Sequence, residues 1–229
     1  MQPYFLPYLG YFQLLGAVDV FVLYDNIKYT KKGWINRNRF LQNGHAAMFT
    51  LPLKRDADEL DVRERSIADT FNRQHILGQL ENAYRLAPEF GRVFPLVEAI
   101  VCFPERNLFR FIEHSLRQVC VFLGLRTPIV QSSSVPIDHG LRGQEKVLAL
   151  CAAVGATCYI NAIGGIDLYS SAAFRENNIQ LRFIKMRSIE YLQFSEPFVP
   201  LLSIIDVLMF NSLDAMRGLL GSWDLVPGR

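Results

Sequence analysis

The stretch Val18-Asp19-Val20-Phe21-Val22-Leu23-Tyr24-Asp25 constrains the fold more than any other part of the chain. Val20 to Leu23 is a continuous run of β-formers bounded by Asp19 and Asp25, the pattern of a strand buried on both faces. Sheets built from such strands are covered by helices, which is the layout of an α/β domain. A buried strand that closes on an acid and opens into a polar loop also marks where α/β folds place their ligands.

Two polar, aromatic clusters flank this run. The first is Gln2-Pro3-Tyr4-Phe5-Leu6-Pro7-Tyr8-Leu9-Gly10-Tyr11-Phe12, which leads into a short helix expected over Leu9 to Ala17. Free N–H groups at a helix start bind anions, and a proline-containing turn fixes where they point. Gln2, Tyr4, Tyr8 and Tyr11 crowd hydrogen-bonding groups into that turn, which reads as a ligand site; the alternative is a tight aromatic turn that only packs. The second cluster gathers Lys31, Lys32, Trp34, Asn36, Arg37, Asn38 and Arg39. Arg offers a planar fork for phosphate or carboxylate and Lys a point charge, while Trp34 presents a face to a base or sugar. In an extended chain the two Asn fall on one side and Arg37 and Arg39 on the other. The alternative here is a solvated basic loop.

Composition narrows the partners. A net charge of +2 over 229 residues leaves no electrostatic footprint for a nucleic-acid polymer, so the local excess between Lys28 and Arg39 suits a small anion. Cys102, Cys120, Cys151 and Cys158 have no paired spacing and read as buried, reduced thiols. The four histidines lack metal-ligand spacing, and no metal site is expected. No apolar run approaches the ~18 residues of a membrane span. Pro3, Pro7 and Gly10 interrupt any signal-peptide pattern, so the expected location is cytoplasmic.

Along the rest of the chain, Asn43-Gly44 marks a hairpin over residues 40–53, and Lys54 to Arg65 reads as a surface loop. Helices are expected over Phe71–Leu86, Phe90–Cys102 and Asn107–Leu123, the last stopped by Gly124. After Pro128 strands and helices alternate: strand Ile129–Ser132, helix Gln144–Val154, strand Thr157–Asn161, helix Asp167–Glu176, strand Ile179–Ile184. Helices Leu201–Phe210 and Leu213–Leu220 close the chain. The expectation is one α/β domain over residues 1–229, a mostly parallel sheet flanked by helices, with a hairpin at 40–53 and a helical insertion at 71–124.

Three further stretches carry weaker signals. Asn161-Ala162-Ile163-Gly164-Gly165 follows a strand and precedes a helix, where glycines admit close approach of backbone to phosphate; a plain turn reads equally well. Ser132-Ser133-Ser134 near Asp138 and His139 has the residue types of a hydrolase triad without its nucleophile-elbow glycines. Tyr191 and Gln193 lie near Asp206, whose carboxylate in an apolar helix needs a partner if buried. Arg37 or Arg39 would serve, and a surface-facing Asp206 is the alternative.

The stretches QPYFLPYLGYFQLL, DVFVLYD, YTKKGWINRNRF, FTLPLK, CYINAIGG with LYSSAAF, and YLQFSEPFVPLLSIIDVLMFN together resemble the WbqC-like family. That resemblance implies a role in bacterial surface-polysaccharide (O-antigen) synthesis, with glycyl transfer onto an amino sugar as one proposed activity. Family members carry a short apolar strand just before the Met-Gln-Pro, and Met1 stands where that strand would end. Either the start lies further upstream or the first strand is lacking, which would leave a central sheet position open. The opening is also similar to that of HIGH-motif nucleotidyltransferases. Tyr8 and Tyr11 replace that motif's histidines, so only the fold carries over.

The expected function is that of a transferase that acylates or aminoacylates a nucleotide-linked amino sugar. Lys31, Lys32, Arg37 and Arg39 would hold phosphates, Trp34 and Tyr4 would stack on a ring, and Asp25 would act as general base, with Tyr191 the second catalytic candidate. Gln2, Tyr8, Tyr11, Asn36, Asn38, Asn161, Gly164, Gly165, Gln193 and Asp206 complete the candidate binding set. The alternatives are a nucleotidyltransferase or adenylate-forming ligase using ATP and magnesium, and a non-catalytic nucleotide-sugar binding or scaffold protein.

Overall fold

The computed structural model describes residues 1–194 and 197–228. The elements run α1 (Leu9–Gly16), β1 (Phe21–Leu23), β2 (Arg37–Gln42), β3 (His45–Thr50), α2 (Arg73–Tyr84), α3 (Phe90–Val101) and α4 (Leu108–Leu123). They continue with β4 (Ile129–Gln131), α5 (Gly143–Ala153), β5 (Cys158–Ala162), α6 (Ser171–Glu176), β6 (Gln180–Met186), α7 (Ile204–Phe210), α8 (Leu213–Leu220) and β7 (Trp223–Pro227). The chain is an α/β protein.

Local chemistry explains the best-formed pieces. Asn43 and Gly44 both adopt positive φ, at 51° and 76°, which a two-residue hairpin turn requires. The turn sets β2 against β3 in register from Arg37 opposite Thr50 to Gln42 opposite His45. Alternation along β2 sends Asn38 and Phe40 inward and leaves Arg37 and Arg39 half-exposed. Helix α4 is capped by the Asn107 side chain, which accepts from the Arg110 N–H, and ends at Gly124 in the left-handed region. Its apolar stripe of Leu108, Phe111, Ile112, Leu116 and Val119 is buried, and Phe111 meets Phe5 with ring centroids 5.6 Å apart. Helices α2, α3, α4 and α7 surround the main core, and a smaller apolar cluster forms around Phe174 and Phe183.

The strands lie in three pieces. β1 and β4 pair in parallel; β5 and β6 pair in parallel with β7 antiparallel to β6; the hairpin stands apart. A gap separates the first two pieces. The Met1 amine donates to the Val22 carbonyl at 2.6 Å, and the Met1 carbonyl accepts from the Tyr24 N–H at 2.8 Å. Those two bonds are one rung of a parallel ladder beside Leu23. Beyond Met1, β1 and the free edge of β5 face a cavity of about 290 Å³ lined by Val22, Tyr24, Leu150, Cys151, Tyr159 and Ile160, among others. That cavity separates β1 from the edge of β5.

Several expectations need correction. Cys102 and Cys158 are exposed, and only Cys120 and Cys151 are buried; Cys102 lies just past the end of α3 and Cys158 begins an edge strand. The helix expected over Asp167–Glu176 divides into a 3-10 turn over Ile163–Leu168 and α6, because Ser170 caps a fresh start. The 54–65 loop carries a 3-10 turn at Val62–Glu64, closed by a capping box between Asp61 and Glu64. Strand β7 is an addition. Among the described residues no helix is long and apolar enough to cross a membrane.

Candidate functional site

The segment after Gln2 is built as a clamped turn. Leu6 sits at φ 46°, a conformation costly for a branched apolar residue, and neighbours hold it there. Its carbonyl accepts from Asn38 Nδ2 and from Ser203 Oγ, both at 2.8 Å. The Phe5 N–H donates to the Ile35 carbonyl, and the Pro7 carbonyl accepts from the Ile204 N–H. Asn38 thus spends its amide on the turn. Asn36 is spent similarly: it accepts from the Tyr29 hydroxyl and donates to the Leu51 carbonyl, each at 2.8 Å. Tyr11 is buried and donates to the Gln2 carbonyl, while Tyr4 donates to the Gln2 side chain. Burial raises the phenols of Tyr4, Tyr8 and Tyr11 above their usual value.

Asp206 is fully buried in α7, which excludes the surface-facing alternative. Its partners are neither Arg37 nor Arg39. One carboxylate oxygen accepts from Tyr84 at 2.8 Å; the other accepts from Tyr191 at 2.6 Å and Gln193 at 2.8 Å. Burial raises the Asp206 carboxyl, an effect these three donors only partly offset. Burial and the neighbouring Asp206 push the Tyr191 phenol far up, so at neutral pH it is a fixed donor. This network joins the hairpin to the C-terminal helices, since the Tyr84 hydroxyl also accepts from the Leu41 N–H.

The basic cluster is dispersed. Lys31 pairs with Asp58 at 2.7 Å, and Arg37 Nε donates to the Gly33 carbonyl. Arg39 lies over the half-exposed Trp34 ring, 5.3 Å from its centroid, and donates to the Leu201 carbonyl. Lys32 is exposed. Tyr8 and Tyr191 line a narrow groove with Phe198 and Leu201. Asn161 Oδ1 accepts from the Ala162 N–H, and its amide nitrogen lies so close to Gly165 that a Cβ there would clash. Gly164 has open space around it.

The densest polar convergence lies at the C-terminal ends of β1 and β4. Asp25 is 2% exposed. Its Oδ1 accepts from the Ser133 N–H at 2.9 Å and faces Ser132 Oγ at 2.9 Å, and its Oδ2 takes a short hydrogen bond from Ser133 Oγ. Burial works to raise this carboxyl, but the Ser133 and Ser132 donors outweigh it and hold Asp25 below the ordinary carboxylate range. Arg63 lies 3.9 Å away with its side chain half in solvent. Ser132 Oγ also faces Asn26 Oδ1 at 2.6 Å, Asn26 Nδ2 faces His139 Nδ1 at 3.0 Å, and Lys146 Nζ lies 3.3 Å from Asn26 Oδ1.

Asp25 was legible as a strand-end acid. Ser132, Ser133, Arg63, His139 and Lys146 were not joined to Asp25 and Asn26, because those contacts span from 38 to 120 residues of sequence, and only the pairing of β1 with β4 brings the serines in. The serine run beside His139 was the one signal present. It belongs to Asp25, not to Asp138, whose side chain bonds the Gly140 N–H. Among the described residues no three His, Cys, Asp or Glu side chains converge as a metal group would require.

Comparison with known proteins adds the family. The chain is similar to an uncharacterized protein of Mycobacterium tuberculosis, Rv1507c, with 28% identity over 214 residues that cover 92% of this chain and 91% of that one. No solved structure matches it significantly. The model of the WbqC-like protein family matches residues 2–218, nearly the whole length, and the chain belongs to that family.

Proposed function

We propose that this protein transfers an acyl or aminoacyl group to an amino sugar carried on a nucleotide, as a step in surface-polysaccharide synthesis. The observation that carries this reading is the Asp25 cluster, a nearly buried carboxylate fixed by two serines at the C-terminal edge of parallel strands. Parallel α/β sheets bind small ligands at that edge. Membership in the WbqC-like family is the ground for the polysaccharide setting.

In this reading Asp25 organises the site. A carboxylate held below its normal pKa by three donors is a weak proton acceptor, poorly matched to an amine. Its charge instead orients Ser132 and Ser133 and attracts nearby cations such as Arg63. The substrate amine then enters beside a preorganised polar wall, with the proton leaving to a more basic group or to water.

The test is turnover. Purified protein is incubated with UDP-linked amino sugars and activated acyl donors, including glycyl donors, and products are read by mass spectrometry. A mass increase matching the acyl group on the sugar, lost in Asp25→Ala, is the expected result. Release of pyrophosphate from ATP without sugar modification would replace this reading with an adenylate-forming one.

A further inference from the structure

Lys146 is a nearly buried cation beside the Asp25 cluster. It is 8% exposed, yet among the described residues no carboxylate lies within ion-pair distance of it. Its ammonium touches only the Asn26 carbonyl at 3.4 Å and Asn26 Oδ1 at 3.3 Å, and it lies 5.6 Å from the centre of the Tyr24 ring. A lysine this enclosed, with only neutral oxygens in contact, is suited to meet an anion. Asp25 does not fill that role, because its oxygens are engaged by Ser132 and Ser133. Burial lowers the Lys146 pKa, with Arg63 and Arg142 adding like-charge repulsion against the pull of Asp61 and Asp25. Arg63, 3.9 Å from Asp25 and 4.0 Å from Asp61, is the second cation of this corner, and Lys146 is the one without an ion pair among the described residues.

His139 faces the same residue. Lysine only donates, so the Asn26 atom toward Lys146 is its oxygen, and the atom toward His139 is the amide nitrogen. That nitrogen donates to His139 Nδ1, which places the neutral imidazole's proton on Nε2. His139 is exposed, which leaves this N–H available to a ligand as a donor. We propose that Lys146, Arg63 and the His139 Nε2–H form an anion subsite that takes the diphosphate of the nucleotide-linked ligand, an inference that rests on the function proposed above. Asn26 is its positioning residue: one side chain sets both the lysine and the imidazole tautomer. The subsite lies on a different part of the chain from the Lys31–Arg39 cluster.

The experiment titrates inorganic pyrophosphate, UDP and a UDP-linked amino sugar into wild type, Lys146→Met and His139→Ala, with the thermal stability of each variant measured alongside. Lys146→Met removes a buried charge and keeps the stem, so it is expected to fold with unchanged or higher stability. Its pyrophosphate and UDP affinities should fall at least tenfold, and His139→Ala should weaken both. In wild type, nitrogen NMR should report the Nε2–H tautomer of His139, and Asn26→Asp should shift the proton to Nδ1. Unchanged pyrophosphate affinity in Lys146→Met overturns the subsite, as does an Nδ1–H tautomer in wild type. If the UDP-linked sugar binds both proteins equally, the subsite fails while the functional reading survives. If pyrophosphate binding depends on Lys146 but the sugar adds nothing to UDP, the subsite stands and the amino-sugar reading fails.

Discussion

Ser133 meets Asp25 with both of its donors: the N–H at 2.9 Å to one carboxylate oxygen and the hydroxyl to the other. The contact joins residues 108 positions apart and locks the exit of β1 to the exit of β4. It makes the Asp25 charge a structural component of the strand-end cluster, which has consequences for stability as well as for binding.

Replacing Asp25 with Asn should destabilise the protein at pH 7 by about 1–3 kcal/mol, since donors that faced a carboxylate lose a charged acceptor. The Asp25 pKa is lower in the folded than in the unfolded state, so its contribution is complete above the unfolded value and is lost as pH falls through the folded one. Denaturant melts of wild type and Asp25→Asn should accordingly differ at pH 7 and converge below about pH 4. A gap that persists in acid would contradict this account of the carboxylate.

The Met1 amine gives a pH dependence of the same sign in a higher pH window. Burial pushes its pKa down from 8.0 to about 5. Between those values the unfolded chain binds more protons, so stability should rise with pH across that window, by on the order of 1.4 kcal/mol per pH unit at most. Acetylating the amine should flatten the slope. An unchanged slope would mean that the amine is hydrated.

The gap beside Met1 can be tested by filling it. Adding a short run of β-branched residues before Met1 lets the chain continue the parallel rung along β1 and reach the free edge of β5. A rise in Tm of several degrees is expected, since the edges of β1 and β5 gain a partner and the cavity between them is filled. An extension that leaves Tm unchanged and stays accessible to protease would show that the cavity does not take a strand.

Asp206 and its three donors predict a separation of stability from activity. Asp206→Ala should cost about 3 kcal/mol or more, because three buried donors lose their acceptor together. Tyr191→Phe should cost about 1–2 kcal/mol. If Tyr191 is a strut, Tyr191→Phe turns over substrate at the wild-type rate wherever it is folded; a large loss of kcat with unchanged melting would make it catalytic instead.

Legibility followed sequence distance. The hairpin was readable because Asn43-Gly44 needs no distant partner, and α4 because its cap, stripe and stop lie within one segment. β7 was not, since Trp223–Pro227 has few buried residues and owes its pairing to β6, about forty positions earlier. At the site, Asp25 announced itself by ending an apolar run, while Ser133 and Lys146 acquire meaning only through the fold. Asn36 and Asn38 show the converse. Their polarity suggested ligand contact, but their amides hold the backbone of Leu51 and of the strained Leu6 turn.

The most direct test of the central claim is hydrogen exchange with and without a UDP-linked amino sugar, at a concentration a hundredfold above its Kd. Binding at that excess stabilises the fold by about 2.7 kcal/mol, enough to read clearly. Added protection should concentrate at residues 24–27, 131–134 and 139–146, around Asp25, Ser133 and Lys146. Protection centred on residues 31–39 instead, with the strand ends unchanged, would contradict it and move the ligand to the Trp34–Arg39 surface.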